Sequence, residues 1–317
     1  METLTGYIGT YASKESNGIF RFHFDGERKK FDEPELAYPL RDTKYLSLYE
    51  GLLVSPCVKD TAGICRIDLD GKNLPYDLYM EDQAACYVVQ DEAYVYTANY
   101  HEGCVMIYKK EAAKLMFHKR IDIKEHAGCH QVILYGPYLL VPCLLLDKIV
   151  ILDRNQDYAI CGELMFEAGS GPRHGVFSKD YKLFYLVSEL SNEVFKYQVD
   201  GLKFTLLDKI SIAKPGSGAS AAIRLSSDEK YLYVSVRDAD VIRVLDTSSL
   251  NVIQSVSSGG QHPRDIVLSP KEDYLLSVNR YSNNLVLYER DHESGLLKDI
   301  LDEMSVIQGV SIVFTER

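Results

Sequence analysis

No tryptophan occurs in this chain, and amphipathic helical periodicity is sparse, whereas tyrosine is frequent at 23 residues. Long apolar runs are also missing. The longest, YLLVPCLLL (Tyr138 to Leu146), has nine residues, too few to cross a bilayer as a helix. There is no Cys-x-x-Cys pair. The seven cysteines (Cys57, Cys65, Cys86, Cys104, Cys129, Cys143 and Cys161) are odd in number and scattered, which reads as reduced, mostly buried thiols rather than a zinc cluster, a disulfide frame or a catalytic thiol. Excess positive charge is absent: the formal net charge is −11, which argues against nucleic acid and anionic membrane surfaces as partners. No basic segment followed by an apolar stretch precedes GYIGTY, so a secretory leader is not expected and the chain is expected in the cytoplasm. Gly-x-Gly-x-x-Gly, a Walker loop and a nucleophile elbow are all lacking. The Gly/Ser-rich GSGAS (Gly216 to Ser220) precedes a strand pattern rather than a helix and reads as a loop. No cofactor is expected.

What is present is a repeat. The strand-like steps GYIGTY, LLVSPC, VYTANY, LLVPCL, YLVSEL, YVSVRD and LLSVNR align Thr10, Pro56, Asn99, Cys143, Glu189, Val236 and Asn279, at spacings of 46, 43, 44, 46, 47 and 43. A turn and a further strand follow each step: GIFRFHFD, GICRIDLD, GCVMIYKK, KIVILDRN, EVFKYQVD, VIRVLDTS and NLVLYERD. An all-strand period in the forties is the mark of a β-propeller with four strands per blade. Seven repeats predict an all-β, seven-bladed propeller of antiparallel blades, occupying residues 1–317 as one domain, since no linker composition interrupts it. The first repeat lacks an opening strand and the last residues, GVSIVFTE (Gly309 to Glu316), supply one. The C-terminal strand is therefore expected innermost in the N-terminal blade, closing the ring and hiding both sheet edges.

Antiparallel pairing puts the start of each innermost strand and the end of the next at the same mouth of the central channel. Strand starts bring His130 (CHQVIL), Arg173 and His174 (PRHGVF) and Arg264 (HPRDIVL). Strand ends bring Asn99 and Tyr100 (TANYHEG), Glu189 (SEL), Arg237 (SVRD), and Asn279 with Arg280 (SVNR). Taken singly, each has an ordinary explanation: a solvated rim arginine, a satisfied histidine, Glu189 as ion-pair partner of Arg173, asparagines as turn formers. Taken together they do not, because several cations around one axial hole repel one another unless an anion belongs there. A metal is not expected. Guanidinium neighbours oppose a divalent cation, and one carboxylate is fewer than the several oxygens that magnesium or calcium takes.

GPRHGVFSKDYKLFYLVSELSN, TANYHEG, GASAAIRLSSDEKYLYVSVRD and HPRDIVLSPKEDYLLSVNRYSNN, with the opening YIGTYASKESNGIFRFHFD, resemble the lactonase family of seven-bladed propellers, in order and over essentially the whole chain. That family includes a bacterial 6-phosphogluconolactonase and fungal carboxy-muconate lactonizing enzymes. The resemblance implies a catalytic set of His130, Arg173, Glu189 and Arg237, with Arg264 as a further recurrent arginine. It implies hydrolysis of a sugar-acid lactone, foremost 6-phosphogluconolactone, a carboxylic-ester cleavage in carbohydrate metabolism (the pentose phosphate pathway) on a small anionic substrate. Glu189 or His130 would take the proton of the attacking water, Arg173 or Arg237 would face the oxyanion, and Arg264 would hold phosphate or carboxylate. His174, Asn99, Tyr100, Asn279 and Arg280 would line the substrate. The chain departs from the family pattern at Val236, where asparagine is usual, and at Cys143 and Leu144, where aspartate is common, so the mouth near blade four is expected to be more apolar. A muconate-type cycloisomerase would use the same groups in reverse. A non-catalytic propeller binding an anionic ligand or a protein is the remaining reading.

Overall fold

The computed structural model describes residues 3–14, 18–71, 75–214 and 219–315. The second strand of each repeat is buried along nearly its whole length, as in Tyr231–Val236 and Tyr274–Asn279, which is why the sequence shows unbroken apolar steps there. Outermost strands such as Val252–Ser257 alternate between half-buried and exposed positions, so only one of their faces is covered. Sheets of this pattern bury both faces only by stacking against copies of themselves, and they do so in a ring. Seven antiparallel sheets form, and seven apolar clusters lie between them, one at each blade-to-blade interface.

Blades are numbered here in chain order. The innermost strands of blades two to seven are Ser47–Tyr49, Tyr87–Gln90, Ile133–Tyr135, Pro172–Phe177, Ser220–Leu225 and Pro263–Leu268. Blade one is closed as expected: Gly309–Phe314 pairs antiparallel with Leu4–Thr10, with Ile8 opposite Ile312. Its outer edge differs from the four-strand pattern, because Ile19–Asp25 pairs with two short pieces, Lys30–Phe31 and Glu35–Tyr38. Among the described residues the only helical turns are Leu144–Leu146 and Arg154–Gln156. Of the GSGAS loop, Gly216, Ser217 and Gly218 lie outside the described residues, as does Glu316 of the closing segment.

Candidate active site at the channel mouth

Pairings Pro172–Ser188, Ser220–Val236 and Pro263–Asn279 bring strand starts and strand ends to one mouth. The register shifts at these starts. Pro172 faces Ser188 but His174 faces Val187, so Arg173 is an extra residue in a β-bulge. Arg264 is the extra residue between Pro263 and Asp265 in the same way. A bulge re-aims the side chain it carries, and here it aims two guanidiniums at one mouth. Gly171, at φ +64, makes the turn into blade five. A Cβ there would lie 2.6 Å from Leu190 Cγ, and its carbonyl accepts the Glu189 amide at 2.8 Å.

The centre of the cluster is Glu189. Its Oε2 accepts from Arg173 Nε at 2.8 Å and lies 2.8 Å from Arg237 Nη2. The Arg237 contact runs off the N–H direction, so Nη2 is a buried charge partner that donates no hydrogen bond. Arg173 is 2% exposed and donates from Nη1 to the Ala221 carbonyl at 2.6 Å, while Arg237 Nε donates to the Ala219 carbonyl at 2.8 Å. The Glu189 side chain, at 19%, is more exposed than either arginine. Burial raises its carboxyl pKa, but Arg173, Arg237 and Arg264 outweigh burial and hold it below the ordinary value. Burial and the Arg264 charge pull the Arg173 guanidinium down to about 9, so both sides of the bridge are charged at neutral pH.

His130 and His174 meet edge-to-face inward from the bridge. His130 Nδ1 lies 3.2 Å from His174 Nε2, and His174 meets the Tyr87 and Tyr45 rings edge-on. Burial first, then Arg173, push both imidazoles well below the usual histidine range, so both are neutral near pH 7. The Tyr100 ring packs edge-on against His130 at 5.9 Å. Arg264 Nη2 donates to Tyr11 Oη at 3.2 Å, and the Arg280 guanidinium lies over the Tyr11 ring at 4.3 Å.

Eight of the ten residues singled out in the sequence thus converge. Asn99 and Asn279 do not. Asn99 is buried and spends its amide on Glu81 Oε2 and the Gln83 carbonyl, and Asn279 donates to the Ser258 carbonyl. Their side chains pin turns inside the blades rather than facing the channel. Near blade four the mouth is apolar: Leu144 is buried and Leu145 is exposed beside Cys143. The sequence reading passed over Tyr11, Lys44 and Cys86. Tyr11 follows Thr10 as Tyr100 follows Asn99 and Arg237 follows Val236, so the repeat carried that signal. Lys44 Nζ lies 5.8 Å from the centre of the Tyr11 ring. Cys86 places its thiol 3.3 Å from the Cys129 carbonyl, and burial pushes it up to about 11.

Among the described residues one group gathers three donors that could hold a metal, Cys57, Cys65 and Asp77 in blade two. The Cys57 thiol and burial push the Cys65 thiol well above its ordinary value.

Comparison with known proteins agrees with this architecture. The family model described as "Lactonase, 7-bladed beta-propeller" matches residues 5–314. A 6-phosphogluconolactonase of Bacillus subtilis is 28% identical, with 100% of each chain covered. A Lactobacillus plantarum protein of known structure superposes with a TM-score of 0.91 at 30% identity, covering 99% of this chain and 100% of the other. A periplasmic gluconolactonase of Pseudomonas aeruginosa, at 24% identity and a TM-score of 0.85 over 99% of both chains, shares the fold.

Proposed function

This chain belongs to the lactonase family of seven-bladed β-propellers, and from that premise we propose that it hydrolyses 6-phosphogluconolactone to 6-phosphogluconate at the Arg173–Glu189–Arg237 bridge. One observation carries the reading: a single carboxylate oxygen is shared by two buried guanidiniums. Glu189 Oε1 is thereby left for a water, while the guanidiniums stand ready for an oxygen that becomes negative.

Water adds to the lactone carbonyl carbon, and its proton passes to Glu189 Oε1. The carbonyl oxygen becomes an oxyanion beside Arg237 and Arg173. The bond from that carbon to the ring oxygen then breaks, and the ring oxygen takes the proton back from Glu189, giving the open-chain hydroxy acid. Glu189 takes the part of the base in this reading, which its greater exposure than the other members of the set supports. His174 lies against Arg173 Nη1 at 3.3 Å and orients the neutral His130, and Arg264 holds the anionic end of the substrate. No cofactor enters this reading, and a cytoplasmic setting accompanies a phosphorylated substrate.

The test is a substrate panel with spontaneous hydrolysis subtracted. The reading expects turnover of 6-phosphogluconolactone and none of a muconate-like dicarboxylate. The opposite pattern would establish the cycloisomerase, and no turnover of either would leave a binding propeller.

A further inference from the structure

The mouth has two unlike halves. On the side of blades five and six, Arg173 and Arg237 share a carboxylate. On the side of blades seven, one and two, three cations gather around Tyr11. Arg280 lies 4.3 Å and Lys44 5.8 Å from the centre of its ring, and Arg264 reaches its hydroxyl at 3.2 Å. Their hydrogen-bond acceptors are all neutral: Arg280 Nε donates to Gln308 Oε1 at 3.0 Å, Lys44 Nζ to the Ala84 carbonyl at 3.2 Å, and Arg264 to the phenol. Among the described residues no carboxylate forms an ion pair with any of the three. Asp42, the acidic neighbour of Lys44 in sequence, turns its Oδ1 to the Ala12 amide instead.

All three cations are half-buried rather than sealed in. Three positive charges around one ring repel one another, more strongly in a partly desolvated mouth than in open water. The chain as a whole is acidic, so this is a local concentration of charge rather than a diffuse basic surface. His262 records the same field. Its Nδ1 is buried without a hydrogen-bond partner, and burial, then Arg237, Arg264 and Arg280, push its pKa down to about 3.

We infer that Lys44, Arg264, Arg280 and Tyr11 form a phosphate-monoester subsite, which holds the phosphorylated end of the substrate while the lactone carbonyl meets Glu189. A phosphate dianion offers three acceptor oxygens to three cations, and arginine matches such oxygens in paired hydrogen bonds. A carboxylate offers two oxygens and one charge, and would leave the subsite under-neutralised. As the place of the substrate's anionic end, the subsite rests on the lactonase reading. As an anion site it does not.

The experiment therefore separates the two. The full chain is titrated with inorganic phosphate, and separately with acetate, by calorimetry at low ionic strength, using wild type, Lys44→Ala, Arg280→Ala and the double variant, each shown folded by its melting curve. Phosphate is expected to bind wild type more tightly than acetate does. Each substitution should weaken phosphate about tenfold, the size of one charged hydrogen bond. In wild type, kcat/KM for 6-phosphogluconolactone should exceed that for unphosphorylated gluconolactone, and the ratio should fall at least about tenfold in the double variant. Unchanged phosphate affinity in the double variant, acetate binding as tight as phosphate, or equal kcat/KM for the two lactones would overturn the subsite while leaving lactone hydrolysis standing. Phosphate binding that follows the substitutions, with neither lactone turned over, would keep the subsite and overturn the lactonase reading.

Discussion

The two ends of the central channel are built from the same seven inner strands and have opposite character. At one end Arg173, Arg237, Arg264, Arg280 and Lys44 surround a mouth in which Glu189 is the carboxylate in contact. At the other, Tyr45, Tyr87, Val267, Leu268 and Phe314 wall a cavity of about 400 Å³. That end also holds charge, but in balance. Arg224 Nη2 donates to Asp265 Oδ1 at 2.6 Å, and Asp265 further accepts the Ile266 and Ile312 amides. An ion pair between a half-buried arginine and a buried carboxylate whose remaining lone pairs are satisfied is a structural device. Two guanidiniums sharing one carboxylate oxygen, beside three cations with no carboxylate, are not. Buried charge alone does not mark the site; its imbalance does.

Substitutions at the two ends should therefore fail in different ways. The largest effect is expected from Arg237→Ala: kcat for lactone hydrolysis should fall roughly 10²- to 10³-fold, as for loss of one oxyanion donor, measured on protein whose melting curve shows it folded. At the far end, Asp265→Asn should lower unfolding free energy by about 1–3 kcal/mol, because half-buried Arg224 loses its carboxylate and keeps the Ile223 carbonyl. Its kcat/KM per folded molecule should stay near wild type. Urea unfolding with parallel rate measurements checks both, and a matching loss of rate in Asp265→Asn would erase the distinction.

The pH dependence of stability sharpens the same comparison. His130 and His174 are buried neutral with pKa values below the unfolded value of about 6.5, so the unfolded chain binds the extra protons. Their contribution is complete above that pH and is lost as pH falls toward the lowered folded values. Between pH 7.5 and 5.5 stability should drop by up to about 1.4 kcal/mol for each of the two imidazoles, and His174→Gln should remove one such share, read from urea midpoints at the two pH values. The smallest effect is expected at Tyr87, which reaches from the far cavity to His174: Tyr87→Phe removes the acceptor of Gln131 Nε2 at 3.2 Å and should lower stability by about 0.5–1.5 kcal/mol.

Much of this was legible from periodicity. A strand step recurring every 43 to 47 residues leaves little besides a ring of blades, and a first repeat short of one strand points to closure by the last. Antiparallel pairing then carried His130, Arg173, Glu189 and Arg237 to one mouth without any coordinate. What periodicity hides is the orientation of single side chains. Asn99 and Asn279 occupy the aligned position, yet each accepts a hydroxyl from two residues back, Thr97 or Ser277, and turns into its blade. The bulges at Arg173 and Arg264 add one residue to a strand start, and linkers of varying length mask such an addition in the spacing. Lys44 escaped because it precedes the short inner strand Ser47–Tyr49 by a stretch with no repeat signature.

The bridge centred on Glu189 is the proposed seat of lactone hydrolysis. Its most direct test is the initial rate of 6-phosphogluconolactone hydrolysis, above the spontaneous rate, for wild type and Glu189→Gln, with both proteins folded by circular dichroism at the assay temperature. Wild type should clearly accelerate the reaction, and the variant should lose on the order of a hundredfold or more of that rate. Equal rates for the two proteins would contradict this assignment.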